Sequence, residues 1–531
     1  MLLTLLIFTP LLGVLLIALL PKENIKALRL ATLAVTSVVT LLGLVLWSSF
    51  DGSIAGFQPD LDVAKTWFYL PLSTVQVPIQ FRLGIDGLSI LMVALTAVLM
   101  PLVVLSSYGH VNTRVKEFLI WLLVMEAGMM GVFLSLDLVL FYVFWEISLV
   151  PLYFILGIWG GEDRIYATVK FFLFTVAGSL VMLVAILALI LQTSTASLPE
   201  LLEAGTYAAN GTPPTWIFLA FALAFSIKVP LLPFHTWLAD AHTQAPTSGS
   251  VLLAGVLLKM GTYGLLRFGI QLFPEAVITW SPLFMGLGAV GIVYGAFLAM
   301  AQNDLKRLVA CSSISHLGFV VLGMFALTQA GLRGSVLQMV SHGISTGLLF
   351  LLVGMIYERR HTRALDQFGG LASTMPVFAL FFVFAVLSSV GLPGLNGFVG
   401  EFLILMGSFE ASKLWGTVGV TGIVFGAIYL LTMTRRVLFG PVIHEANRKL
   451  ADLTPREILT MTPLCVLVVW IGVQPNYFLG KSDASIDLLH QRLEMARGSM
   501  ESARLERNGD EPLELVFATQ ASPLPLGGLD R

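Results

Sequence analysis

The chain is a succession of long apolar runs separated by short polar stretches. A helix that crosses a bilayer needs about 20 apolar residues at a rise near 1.5 Å each. Runs of that kind lie near residues 2–20, 28–48, 88–106, 117–135, 138–158, 167–192, 216–238, 249–272, 281–301, 308–327, 334–356, 375–409, 415–434 and 457–479. They predict an all-α polytopic membrane protein with about 14 transmembrane helices. Two stretches break the pattern. Residues 73–83 alternate Val75, Val77, Ile79, Phe81 and Leu83 with polar positions, a strand period that predicts a small extramembrane hairpin near 58–85. From Lys481 the chain turns polar, which predicts a surface helix first and a loose end after it.

Two of the apolar runs carry helix breakers: Pro230 and Pro233 in 216–238, and Gly391, Pro393, Gly394 and Gly397 in 375–409. Aligning the charges inside the runs exposes an internal repeat. Segment 117–272 holds Glu146 and, 82 residues later, Lys228; segment 281–436 holds His316 and, 85 residues later, Glu401. Each segment contains five spans, an odd number, so the second copy lies inverted relative to the first. Interrupted spans at corresponding places in two halves point to a transport site. The expected organisation is an N-terminal three-helix segment with the hairpin (1–106), a first repeat of helices 4–8 (107–272) and a second, inverted repeat of helices 9–13 (273–436). A connecting segment with the last helix (437–480) and a polar tail (481–531) follow.

Composition agrees with the pattern. Hydrophobic residues make up 57% and charged residues 12%, about half the charge of a soluble domain. No basic run suggests nucleic acid. Cys311 and Cys465 are too few and too far apart for an iron–sulfur cluster or zinc, and are expected as buried free thiols. The first run has no basic region before it and no cleavage site after it, so it reads as a retained span. Lys and Arg concentrate in alternate loops, such as Lys22–Lys26–Arg29, Arg359–Arg360–Arg363 and Arg435–Arg436, which places both termini on the non-cytoplasmic side.

The charges inside the runs share one depth. Glu146 stands nine residues past Asp137, roughly 13 Å into the membrane. The same arithmetic puts Lys228, Lys259, His316 and His342 roughly 12–18 Å deep, around a midplane near 15 Å. Glu401 joins them. This predicts a row along the membrane plane, not a pore across it. A single intramembrane histidine is commonly structural, and Lys or Glu near a span's end reaches water. Glu146, Lys228 and Lys259 are too deep for that escape, and such residues are functional by default. Asp137 opens a span and is expected as an N-cap. Glu126, and His235 seven residues after Lys228, are further candidates.

The chemistry of such a row is protonic. A buried amine favours its neutral form, and an approaching carboxylate restores the charge, so Glu146 and Lys228 make a two-state pair. Lys259, His316 and His342 then hand a proton on, and Glu401 releases it. No dinucleotide fingerprint, P-loop, CxxC or serine elbow is present. Neither nucleotide binding nor electron carriage is expected of this chain.

At these residues the sequence resembles the antiporter-like proton-channel subunits of respiratory complex I. The resemblance is carried by Phe144-Trp-Glu-Ile-Ser-Leu-Val-Pro-Leu-Tyr153, by Lys228-Val-Pro-Leu-Leu-Pro-Phe-His-Thr-Trp-Leu-Ala-Asp-Ala-His-Thr-Gln-Ala-Pro246 and by Asn303-Asp-Leu-Lys-Arg-Leu-Val-Ala-Cys-Ser-Ser-Ile-Ser-His316. Ser341-His-Gly-Ile-Ser345 and Gly391-Leu-Pro-Gly-Leu-Asn-Gly-Phe-Val-Gly-Glu401 complete it. It implies fourteen helices in two inverted five-helix repeats, each with a discontinuous helix. It also implies working residues at Glu146, Lys228, Lys259 and Glu401; the glutamate at the last position fits the subunit M branch, because sister subunits usually carry lysine there. The implied activity is proton pumping driven by NADH:quinone oxidoreduction, with FMN, iron–sulfur clusters and quinone on other subunits and no cofactor here. The implied partners are other membrane subunits, sister antiporter-like chains among them, in a bacterial-type inner (cytoplasmic) membrane. The alternative is a subunit of a multi-subunit cation/proton antiporter, or of the membrane arm of an energy-conserving hydrogenase.

Overall fold

A computed structural model describes residues 1–72, 75–203 and 215–508. Among the described residues twelve helices are long and apolar enough to cross a membrane, and the chain is a multi-pass membrane protein. They are α1 (Leu2–Leu19), α2 (Ile25–Ser49), α3 (Ile90–His110), α4 (Val115–Leu134), α5 (Leu138–Trp159) and α6 (Arg164–Thr193), then α9 (Thr247–Ile270), α10 (Pro274–Met300), α11 (Leu305–Phe325), α12 (Gln329–Arg360), α15 (Lys413–Leu438) and α16 (Pro455–Val473). Two pairs of shorter helices stand where the sequence carries its breakers: α7 (Thr215–Lys228) with α8 (Thr236–Gln244), and α13 (Pro376–Val390) with α14 (Asn396–Ala411).

Local chemistry sets the helix ends. Side chains of Asn24, Asp304 and Thr328 accept from the first backbone N–H groups of α2, α11 and α12. Thr454 and Glu457 form a reciprocal capping box at the start of α16, closing two orphan donors at once. Asp137 caps α5 as expected, accepting from Val139 N at 2.9 Å and Leu140 N at 3.1 Å. It also accepts from Gln80 N at 2.9 Å. Burial at this junction raises its carboxyl to about 6.

The hairpin pairs β1 (Val63–Leu72) with β2 (Val75–Leu83) antiparallel, with one irregularity between Thr66 and Phe68. Its predicted turn residues Ser73 and Thr74 lie outside the described residues. The hairpin leads into α3 through Asp86, which forms a buried ion pair with Arg267 near the end of α9. The polar C-terminal stretch begins as the expected helix, α17 (Asp483–Asn508), which buries Ile486, Leu489 and Leu493. Arg333 holds it at Asp483, 2.9 Å away. The end after residue 508, predicted loose, lies outside the described residues, as do residues 204–214.

Helices α9, α11 and α12 are enclosed on all sides, whereas α1, α2, α15 and α16 leave most of their surface outward. The molecule therefore has a wholly interior layer at bilayer depth, where water cannot rescue a polar group and each must find a partner inside. Cys311 is buried and free; Cys465 is free but only half-buried, because α16 is peripheral.

Candidate functional site

The interior layer carries three stations of the predicted row, Lys259, His316 and His342, and the others stand on helices packed around it. Lys228 is the last residue of α7 and is 2% exposed. The helix cannot continue through Pro230, since proline lacks the N–H a helix interior needs. The carbonyl of Ile227 is taken instead by the indole Nε1 of Trp237 at 3.0 Å, and Leu231 N turns back to Ser226 O at 2.9 Å. The break is thus satisfied on the backbone, while the Lys228 ammonium makes no hydrogen bond. Its neighbour is the face of Trp145, with Nζ 4.6 Å from the ring centroid. Glu146, next in sequence to Trp145, is half-buried, and its Oε1 is also without a hydrogen-bond partner. The expected pair is present but apart.

The next station follows directly. A Cβ built at Gly261 would lie 3.0 Å from Lys228 Cβ and 2.9 Å from Val229 N, so only glycine lets α9 press against the end of α7. Lys259 sits two residues before Gly261 and is fully buried. Its segment of α9 lies between two widened π-type turns, Leu253–Leu257 and Leu265–Ile270, a device common at functional sites. The ammonium donates to the carbonyl of Ala254 and meets His342 Nδ1 at 2.6 Å. That contact also depends on glycine: a Cβ at Gly343 would stand 2.8 Å from Gly255 O, and α9 and α12 could not approach so closely.

From His342 the row continues to His316 on α11, with ring centroids 5.6 Å apart. His316 Nδ1 meets Glu401 Oε1 at 3.0 Å, and the same oxygen accepts from Gln338 Nε2 at 3.0 Å. Tyr429 of α15 closes the other side, its hydroxyl 3.3 Å from His316 Nε2. A small polar cavity of about 10 Å³ lies among His316, Gln338, His342, Ser345 and Glu401, near the room one water needs.

The second break is held by polar stitching. Asn396 opens α14 and is fully buried. Its Oδ1 accepts from Ser388 Oγ at 2.6 Å, and its Nδ2 donates to Ser341 O at 3.1 Å. The carboxyl of Glu401 reaches back over Gly391, whose φ of +82° and missing Cβ leave it space.

Two candidates stand apart. His235 is the residue before α8 and packs edge-on against Tyr294, with centroids 5.1 Å apart. The face it would share with Lys228 on a continuous helix does not exist, because the helix stops between them. Glu126 of α4 is fully buried with both carboxyl oxygens unpartnered, and no contact joins it to the row.

Four participants were not singled out from the sequence. Trp145 adjoins Glu146, and Gln338 precedes His342 by four residues on one helix face, so both carried a signal of spacing. Tyr429 carried none. His242, seven residues after His235, lies flat on Phe350 at 4.7 Å with neither ring nitrogen partnered. It stands within electrostatic reach of Lys306 and Lys259. On the arginine-rich side a cavity of about 200 Å³ opens among His110, Lys306, Glu358 and Arg363.

Known proteins resemble this chain along most of its length. Residues 135–426 match the family model described as NADH:quinone oxidoreductase/Mrp antiporter, TM, and residues 61–136 match NADH-ubiquinone oxidoreductase chain 4, amino terminus. The subunit M of NADH-quinone oxidoreductase from Rhodobacter capsulatus is 43% identical over 491 residues, covering 91% of this chain and 93% of that one. A chain of respiratory complex I from Thermus thermophilus with bound NADH superimposes with a TM-score of 0.82 at 32% identity, over 93% of this chain and all of that one. A chain of the Mrp complex from Dietzia sp. DQ12-45-1b superimposes with a TM-score of 0.79 at 19% identity, over 93% and 98% of the two chains; that likeness is one of fold.

Proposed function

The chain belongs to the subunit M, or chain 4, family of NADH:quinone oxidoreductases, and we propose that it translocates protons within such a complex through the row Glu146, Lys228, Lys259, His342, His316 and Glu401. The observation that carries this reading is the unbroken contact series Lys259–His342–His316–Glu401 inside a layer closed to water. Protons load Lys228 and Lys259, pass between the imidazoles, and leave from Glu401. Each station changes its proton affinity as its neighbour gains or loses charge, since like charges oppose and opposite charges favour ionisation. Trp145 steadies the Lys228 ammonium by a cation–π contact, about 2 kcal/mol when desolvated, and keeps the pair apart until Glu146 moves in. His242 and the cavity around Lys306 supply entry from the arginine-rich side. Glu126 and His235 remain outside this route.

The same reading assigns fourteen crossings, the two broken helices each counting once. Residues 107–272 and 273–436 form the two inverted repeats, flanked by 1–106, by 437–480 with the last span, and by the tail. The redox reaction belongs to other subunits, which carry FMN, iron–sulfur clusters and the quinone site, while this chain holds no cofactor. Its neighbours are other membrane subunits, including sister antiporter-like chains, in the inner (cytoplasmic) membrane, with both termini on the non-cytoplasmic side. Purifying the intact complex tests the reading. The expected result is co-purification with flavin and iron–sulfur subunits, and NADH:quinone turnover accompanied by proton uptake into vesicles. A complex without those subunits that exchanges a metal cation for protons would establish the antiporter alternative instead.

A further inference from the structure

Outside the charged row, one apolar cavity belongs to no step of proton transfer. It is a slot of about 170 Å³ between α2, α3, α12 and α16. Its walls include Leu44, Leu91, Ala94, Ile344 and Leu467. The polar atoms that border it are already satisfied: Thr40 Oγ donates to Ala97 O at 2.7 Å, and Trp47 Nε1 donates to Tyr477 Oη at 3.1 Å. Nothing in it asks for a hydrogen bond. Apolar cavities near 150 Å³ stay dry and take apolar guests.

The slot runs along the membrane normal. From Thr40 to Trp47 the wall advances seven residues, roughly 10 Å, against a leaflet about 15 Å thick. Leu44, Trp470 and Tyr477, on its rim, are exposed, so the opening faces the lipid and not another span of this chain. At one end stands an aromatic cluster: Trp47 lies 5.8 Å from Phe478 and 6.0 Å from Tyr477, and Trp470 lies 5.0 Å from Tyr477. Aromatic clusters of this kind mark the interface between hydrocarbon and headgroups. Lys481 sits there, its Nζ 5.7 Å from the Trp47 ring and 2.8 Å from the carbonyl of Phe50, to which it donates. Two of its N–H bonds remain for a ligand. The nearby carboxylate of Asp51 is engaged by Ser53 N at 2.9 Å and Ser53 Oγ at 2.7 Å.

We propose that this slot holds one acyl chain of an anionic membrane phospholipid, with the phosphate at Lys481. An apolar channel about two-thirds of a leaflet long, ending in an aromatic cluster and a lysine with N–H bonds to spare, matches the two ends of that molecule. The slot lies between α16 and the spans α2, α3 and α12, so the lipid acts as a filler between the N-terminal segment and α16.

The test uses the whole complex in vesicles of phosphatidylcholine containing phosphatidylglycerol with a photoactivatable acyl chain. Cross-linked peptides are located by mass spectrometry. The expected adducts concentrate on the slot walls around Leu91, Ala94 and Leu467, above the level on the outward face of α1. Ala94→Phe, which fills the slot, lowers them to that background, and Leu467→Trp does the same from the opposite wall. Lys481→Gln lowers the preference for phosphatidylglycerol over an equally labelled phosphatidylcholine by roughly fivefold, the effect of one lysine at an anionic surface. Slot adducts no denser than those on α1, or unchanged in both filling variants, would overturn the proposal. So would slot peptides cross-linked to another subunit instead of lipid. An unaltered headgroup preference in Lys481→Gln would overturn the assignment of the phosphate.

Discussion

The two broken helices make opposite use of the same device. At the first break, buried Lys228 and half-buried Glu146 have no hydrogen bond between them, and the Lys228 ammonium has none at all. At the second, His316 and Glu401 are in contact at 3.0 Å, and Gln338 adds a further bond to the same oxygen. A buried charged group without a partner costs several kcal/mol, and the first break holds one while the second does not. Under the proposed route, that difference puts the stored drive at the open pair, which gains by moving, while the closed pair holds a proton until the row behind it changes. Lys259 and His342, at 2.6 Å, join the two.

Removing that junction should do the most damage. Lys259→Ala deletes the link between the two breaks along the row, and pumping should fall by at least about a hundredfold, the low end for loss of a positioned proton-transfer group. Proton uptake by vesicles containing the complex measures it. Uptake at the wild-type rate would mean that the halves work separately.

Glu401→Gln keeps the shape of the closed pair and removes its charge. Its expected effect is smaller, because Tyr429 still reaches the His316 ring and Gln338 can still bond the side chain at position 401. Turnover and uptake should drop together, and the pH dependence of turnover should lose a limb. A variant with the wild-type pH profile would place proton release elsewhere.

The closed pair also rests on stitching that the open one lacks. Asn396→Ala loses the bonds to Ser388 and Ser341, worth about 1 kcal/mol each and more if the partners are left unsatisfied. The melting temperature of the solubilised complex should fall, with turnover following it. Equal stability would show that the second break is held by packing alone.

How much of this was readable in the sequence differs along the chain. Span positions came from run length, because the bilayer imposes one thickness on every crossing. The caps at Asp137 and Thr454 and the breaks at Pro230 and Gly391 are local chemistry, and local chemistry is visible in a string. The common depth of Lys228, Lys259, His316 and His342 followed from counting residues. The contacts did not. Whether Lys259 touches His342 depends on how closely α9 and α12 approach, which is decided by Gly255 and Gly343 facing one another. Tyr429 comes from a helix whose only claim is position in three dimensions. His235 shares no helix face with Lys228, because the helix ends at Lys228 and the next begins at Thr236. The lack of a hydrogen bond between Glu146 and Lys228 depends on where their helices sit and how their side chains turn, and no pattern of residues states it.

The smallest expected effect lies at the membrane surface beside the first break. Burial lifts Asp137 from 3.8 to about 6, so its neutral form is the one the fold favours. The stability it contributes is complete below pH 3.8 and is lost as pH rises through about 6. Asp137→Asn keeps an acceptor for the N-terminus of α5 and removes the titration. Its melting temperature, relative to the parent, should rise between pH 4 and 7; a constant offset would remove Asp137 from the pH response.

The most direct test of the central claim is Lys228→Ala in the otherwise intact complex, reconstituted in vesicles, with NADH oxidation and proton uptake recorded together. If the open pair stores the drive, uptake collapses, and NADH oxidation slows with it because the two are coupled. Wild-type uptake per NADH oxidised in that variant would contradict the account.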